Sequence, residues 1–157
     1  LNELFENAKQ DVAVSILEKK AQITCDLLPK ETVITFQIQQ LFLNLLSNSL
    51  KYSQKETKPI IKINYSIVKA KDDPNLIKAT KSNYHKITFT DNGIGFDQIY
   101  YEKIFDLFNR LHNKGDYSGT GIGLSICKKI IENHNGFIFA KGEINVGSVF
   151  TIYLPLS

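Results

Sequence analysis

Apolar residues run along this chain in two rhythms. Leu4, Phe5, Ala8, Val12, Ile16 and Leu17 fall at helical spacing and predict a helix over residues 3–20. Residues 23–28 read as a short strand closed by Pro29, and a long helix follows over 32–52, with Ile38, Phe42, Leu45 and Leu46 on its apolar face. Ile61, Ile63, Tyr65 and Ile67 alternate with polar neighbours, the period of a strand, and a second strand spans 84–90 with Ile87 and Phe89 on one face. Between them, the polar stretch 69–83 with Asp72-Asp73-Pro74 predicts a loop. Asp97 is placed to cap a short helix running to about 108. Residues 109–118 are polar, include Gly115 and read as a mobile segment. A last helix is predicted over 119–133, with Leu124, Cys127, Ile130 and Ile131 in one stripe, and Asn135-Gly136 turns the chain into strands at 137–141 and 148–154. Helices mixed with antiparallel-leaning strands predict an α+β fold, a two-layer α/β sandwich rather than a doubly wound sheet.

A chain of 157 residues suits one domain over 1–157 and can bury a full core without staples. The net charge of +3, from 19 basic and 16 acidic residues spread along the chain, gives no footprint for nucleic acid. No apolar run reaches the length of a membrane span, and no signal peptide is visible. Cys25 and Cys127 lie far apart and read as reduced, partly buried thiols of a cytoplasmic domain. His85, His112 and His134 share no metal-ligand spacing, so no zinc site is expected, and His134 falls in its helix's apolar stripe as a packed, hydrogen-bonded boundary residue. The chain opens on Leu1 and contains no methionine, the composition expected of a piece of a longer protein.

Three segments have chemistry to offer. On the long helix, Asn44, Asn48, Lys51 and Tyr52 share one face. Two amides, an ammonium and a phenol can hold a magnesium ion and polyphosphate, although a solvated polar face has the same composition. Asp91-Asn92-Gly93-Ile94-Gly95-Phe96 ends a strand with a carboxylate that can accept from an exocyclic amino group such as that of adenine, and its glycines let backbone approach a ligand; an ordinary turn uses the same residues. Gly119-Thr120-Gly121-Ile122-Gly123-Leu124 opens a helix with free N–H groups that attract phosphate, or serves as a plain hinge; it fits neither a dinucleotide fingerprint nor a P-loop. Between the last two, Phe105 and Phe108 can anchor a mobile segment whose Arg110 swings toward a terminal phosphate, or stays at the surface.

Taken in order, these segments resemble the N, G1, F, G2 and G3 boxes of the histidine kinases, in the wider GHKL family with DNA gyrase, Hsp90 and MutL. The boxes are 44–52, 91–96, 105–110, 119–124 and a reduced G3 box at 147–150, with Val146 where a glycine is common. The resemblance implies a Bergerat-type sandwich, a mixed and largely antiparallel five-stranded sheet on three helices, with ATP held between the helices and a lid at 109–118. It implies that Asn48 coordinates magnesium with Asn44 nearby, Lys51 meets phosphate and Tyr52 flanks the nucleotide. Asp91 would accept from the adenine amino group in a pocket shaped by Gly93 and Gly95. Gly119, Thr120, Gly121, Gly123 and the backbone of Leu124 would close on the phosphates, Arg110 would help with the terminal phosphate, and Thr151 would touch the adenine pocket through water.

The family's ATPases carry a glutamate where this chain has Asn44, and an amide is no general base. The expected activity is therefore transfer of the terminal phosphoryl group of ATP to a histidine on a dimerisation hairpin, which this chain lacks because no histidine precedes His85. Residues 1–20 are expected to lead in from that hairpin. The parent is expected to be a homodimer that passes the phosphoryl group on to a response regulator, and this piece a monomer. An ATPase and a non-enzymatic ATP-sensing or anti-sigma-type module are the competing readings.

Overall fold

The computed structural model describes residues 1–106 and 122–157. Among them are four α-helices, α1 (Asn2–Asp11), α2 (Ala13–Lys19), α3 (Thr35–Lys51) and α4 (Gly123–Asn133), and five strands, β1 (Gln22–Cys25), β2 (Ile60–Lys69), β3 (Asn83–Asp91), β4 (Phe137–Glu143) and β5 (Gly147–Pro155). The strands form one sheet in the order β1-β2-β3-β5-β4, with β1 parallel to β2 and every other pair antiparallel. This is the mixed, largely antiparallel α+β sandwich that the sequence predicts.

The helices cover one face of the sheet because period-2 and helical periods bring their apolar sides together. Ile61 and Ile63 of β2, Ile87 and Phe89 of β3, and Phe150, Ile152 and Leu154 of β5 meet Ile38, Leu41, Phe42, Leu45, Leu46 and Leu50 of α3, all buried. Phe5, Phe42 and Phe89 join α1, α3 and β3, with ring centroids 5.8, 5.9 and 6.4 Å apart. A fully buried phenylalanine contributes about 1.5–3 kcal/mol, so this trio is a strong tie between the layers.

Four local expectations change. The helix over 3–20 breaks at Val12 (φ −111°, ψ 15°) into α1 and α2. The first of these, α1, buries Phe5 and Ala8 in the main core, and the Asn2 amide exchanges hydrogen bonds with the backbone of Leu28. From α2, the Lys19 ammonium donates to the Leu50 carbonyl and Ser53 Oγ at the end of α3, a cation at a helix C-terminus. After Asp91 the expected helix to 108 is two 3-10 turns, Gln98–Tyr100 and Lys103–Phe105, in its described part. Asp97 does cap the first, accepting from the Ile99 N–H at 3.1 Å. Of the two cysteines, Cys127 is buried but Cys25 is exposed, and both are free thiols.

The fourth change is at residues 69–83. This polar stretch folds back in two 3-10 turns, Ala70–Asp72 and Pro74–Leu76, onto the sheet face away from the helices. Leu76 packs there with Tyr84 and Tyr153, flanked by Phe137 and Phe139. Asp73 lies 8% exposed and accepts from Lys86 Nζ (3.0 Å), the Tyr153 hydroxyl (2.9 Å) and the Asn75 N–H (3.0 Å). Removing that carboxylate leaves the Lys86 ammonium and the Tyr153 hydroxyl without their acceptor. Asp73→Ala should cost about 1–3 kcal/mol, which for a chain of this size lowers Tm by about 2–4 °C per kcal/mol. A thermal melt of the variant beside the parent checks this.

Candidate functional site

The helix α3 ends where the chain after β3 turns, and backbone contacts join the two. The Ile94 N–H donates to the Tyr52 carbonyl at 2.9 Å, and a Cβ at Gly93 would stand 2.6 Å from that same oxygen. Gly95 sits at φ +65°, and any Cβ there would come within 2.0 Å of the Glu143 carbonyl. Glycine is thus required twice over in this turn. The turn is also held from outside by a residue that the sequence reading passed over. Gln54 Nε2 lies 3.1 Å from each of the carbonyls of Asn92, Gly93 and Asn145, and Asn145 N–H donates to the Ile94 carbonyl at 2.8 Å. No sequence pattern marks Gln54, because its partners stand 38, 39 and 91 residues away.

Asp91 closes β3 at the base of this turn. Its Oδ1 accepts from the Gly93 N–H (2.9 Å) and the Ser148 N–H (3.2 Å), and its Oδ2 from the Ser49 hydroxyl (2.9 Å). Burial pushes the carboxyl above its ordinary value, and these three donors oppose that rise. Ser148 is paired with Asp91 in the β3–β5 register and so shares its face. Thr151 is paired with Thr88, the neighbour of the core residues Ile87 and Phe89, and therefore lies on the opposite face. The structure thus corrects the assignment of Thr151 to the adenine pocket: Ser148, from the same strand, is the residue that reaches Asp91.

On α3 the predicted polar face is divided. Asn44 is tied into the protein: its Nδ2 donates to the Gly123 carbonyl at the start of α4 (3.3 Å), and its Oδ1 accepts from Gln40 (2.8 Å). It also bonds the Cys127 thiol, which burial nonetheless pushes up to about 12. Asn48, half-buried one turn on, has no side-chain hydrogen bond to a described residue, so its amide oxygen is open to a hard cation such as magnesium. Lys51 is half-buried with Nζ 5.0 Å from the centre of the Tyr52 ring. Gly123 and Leu124 begin α4 beside Asn44. Arg110, Gly119, Thr120, Gly121, Phe108 and the predicted lid at 109–118 lie outside the described residues.

The geometry has parallels among known proteins. The profile of the family described as histidine kinase-, DNA gyrase B- and HSP90-like ATPase matches residues 34–157. The chain belongs to this family. Cyanobacterial phytochrome A of Nostoc sp. strain PCC 7120 is 34% identical over 156 residues, covering 99% of this chain and 18% of its own length. Sensor protein RprX of Bacteroides fragilis is 33% identical over 160 residues, covering 99% of this chain and 28% of its own. The chain thus spans less than a third of the length of either relative. Among solved structures, the catalytic domain of histidine kinase ThkA superposes with a TM-score of 0.72 at 25% identity, over 99% of this chain and 91% of that one. Full-length ShkA in complex with AMPPNP matches with a TM-score of 0.74 over 98% of this chain and 29% of that one; at 18% identity it speaks for the fold. The architecture is therefore that of histidine kinase catalytic domains, and among the described residues no helix is long and apolar enough to cross a membrane.

Asp91 gives this site a measurable signature. An acid whose native pKa lies above its unfolded value binds more protons folded than unfolded between those two values, so stability falls as pH rises through that window. Above it, ionised Asp91 is a net cost to the fold. Asp91→Asn keeps the shape and the acceptor for Gly93 and Ser148, and the Ser49 hydroxyl can rotate to accept from the new amide. This variant should melt no lower than the parent at pH 7, and higher by about 2–4 °C for each kcal/mol recovered, while losing affinity for ATP. A thermal melt and an ATP titration on the same sample check both halves.

Proposed function

We propose that this chain is the ATP-binding half of a protein-histidine kinase: it holds ATP with magnesium and presents the terminal phosphoryl group to a histidine on a separate dimerisation hairpin, in two-component signal transduction. The observation that carries this reading, against ATP hydrolysis, is the bonding of Asn44. It stands where the family's ATPases place a glutamate. Its amide cannot take a proton from water, and both ends of that amide are engaged by Gly123 and Gln40.

In this reading Asp91 accepts from the adenine amino group within the turn shaped by Gly93 and Gly95. Tyr52 flanks the nucleotide, Lys51 meets the phosphates, and Gly123 with the Leu124 backbone approaches them from the α4 N-terminus, where the helix dipole favours negative charge. Arg110, Gly119, Thr120 and Gly121 take their phosphate roles from the resemblance. Asn48 would hold magnesium, which when bound neutralises phosphate charge. What the protein contributes to such a transfer is positioning and charge stabilisation.

In this reading the acceptor histidine is on the hairpin, and both histidines among the described residues are occupied. His85 is 3% exposed between the Tyr65 hydroxyl (2.9 Å) and Glu31 Oε2 (3.0 Å). His134 Nε2 accepts from the Ile34 N–H at 3.0 Å, so its Nδ1 carries the proton and donates to the Ile130 carbonyl at 2.7 Å. The partners of this reading are the acceptor hairpin of the parent, a homodimer, and beyond it a response regulator. Its compartment is the cytoplasm, where ATP is supplied.

Asn48→Ala should weaken magnesium-dependent ATP binding by about tenfold, the equivalent of about 1.4 kcal/mol, without changing the far-UV spectrum. Equal affinities in calorimetry would remove Asn48 from the site.

With radiolabelled ATP the chain should not label itself and should hydrolyse ATP slowly. Mixed with a separate hairpin domain bearing the acceptor histidine, it should transfer label in an acid-labile form, slowly because the tether that raises effective concentration is missing. Strong labelling of this chain alone would overturn the reading, and rapid hydrolysis without the hairpin would turn it toward an ATPase.

A further inference from the structure

Ser49 follows Asn48 on α3 and is 4% exposed. A helical serine commonly bonds back to a carbonyl of the preceding turn, as Ser125 does to Ile122. Ser49 instead donates out of the helix to Asp91 Oδ2 at 2.9 Å. The consequence lies in the lone pairs of the carboxylate. Oδ1 already accepts two backbone N–H groups, from Gly93 and Ser148, and is filled. Those two bonds hold one oxygen of the carboxylate. The Ser49 bond pins the second oxygen, which fixes the plane of the group. It leaves on Oδ2 one unused lone pair, the only place where Asp91 can accept from a further donor.

We propose that Ser49 is a positioning residue for base recognition: its hydroxyl holds the Asp91 carboxylate in the plane in which the free Oδ2 lone pair meets the 6-amino group of a purine. This rests on the proposed function, in which ATP binds with its amino group at Asp91. Ser49 acts on the base through Asp91, and its effect should therefore be confined to nucleotides that carry the amino group.

The test compares magnesium-ATP with magnesium purine-riboside triphosphate, which lacks only the 6-amino group, on the 157-residue chain by calorimetric titration. The parent chain should prefer ATP. In Ser49→Ala that preference should fall by about fivefold, a hydrogen bond of about 1 kcal/mol, while affinity for the analogue stays where it was. Should Ser49→Ala fail to fold, Ser49→Cys carries the same comparison, since a thiol keeps the size with a weaker donor. Equal weakening of both nucleotides, or a preference undiminished in the variant, overturns the role of Ser49 and leaves Asp91 in place. A parent chain that binds both nucleotides equally overturns the placement of the amino group at Asp91, and this inference with it.

Discussion

A carboxylate buried at the end of a central strand cannot stay charged unless donors surround it, and the arrangement around Asp91 follows from that need. Its three donors come from three separate parts of the chain: the Ser49 hydroxyl from α3, the Gly93 N–H from the following turn and the Ser148 N–H from β5. Each can reach Asp91 only if helix, turn and neighbouring strand are in register. The hydrophobic layer supplies that register. The Phe5–Phe42–Phe89 contacts seat α3 and α1 over β3, and the β3–β5 pairing sets Ser148 opposite Asp91. Core packing and the surroundings of Asp91 are in this sense one structure: what positions the layers also brings three donors to a carboxyl group where water is scarce.

Much of this was legible in the residues before the fold was known, because it depends on local periods. The shared face of Asn44, Asn48, Lys51 and Tyr52 is a property of helical spacing, and β2, β3 and β5 announce themselves by alternation. Thr151 was misplaced although the same alternation was available. Phe150 and Ile152 are core, so residue 151 must face away from the helices. Gln54 and Ser49 were missed for another reason. Their roles consist of contacts across 38 to 91 residues and 42 residues respectively, and a glutamine after a helix or a serine within one carries no local mark of such a bond. The stretch at 69–83 looked like a loop by composition. Its one buried carboxylate and Leu76 make it a cover for the outer face of the sheet, which only the partners Lys86, Tyr84 and Tyr153 reveal.

The break at Val12 and the 3-10 turns after Asp97 have a common lesson. Both segments carry helical signals, an apolar stripe in one and an N-cap in the other, and in both the tertiary contacts decide how far a helix extends. At the first, α1 lies along α3 while α2 delivers Lys19 to the end of α3. At the second, Gln98 is drawn to β4, where its amide accepts from the Gly142 N–H at 2.8 Å.

Backbone atoms take part in most of the bonds that shape the turn around Asp91. Gly93 and Ser148 act through N–H groups, Ile94 through both its N–H and its carbonyl, and Asn92 and Asn145 through carbonyls. Such bonds do not depend on which side chain the residue bears, provided the turn can form. Substitutions can therefore accumulate at Ile94 or Ser148 without dismantling the pocket, whereas Gly93 and Gly95 are confined by the carbonyls that crowd their missing Cβ atoms. The fold itself persists at a quarter of identical residues, as the superposition on the ThkA catalytic domain shows.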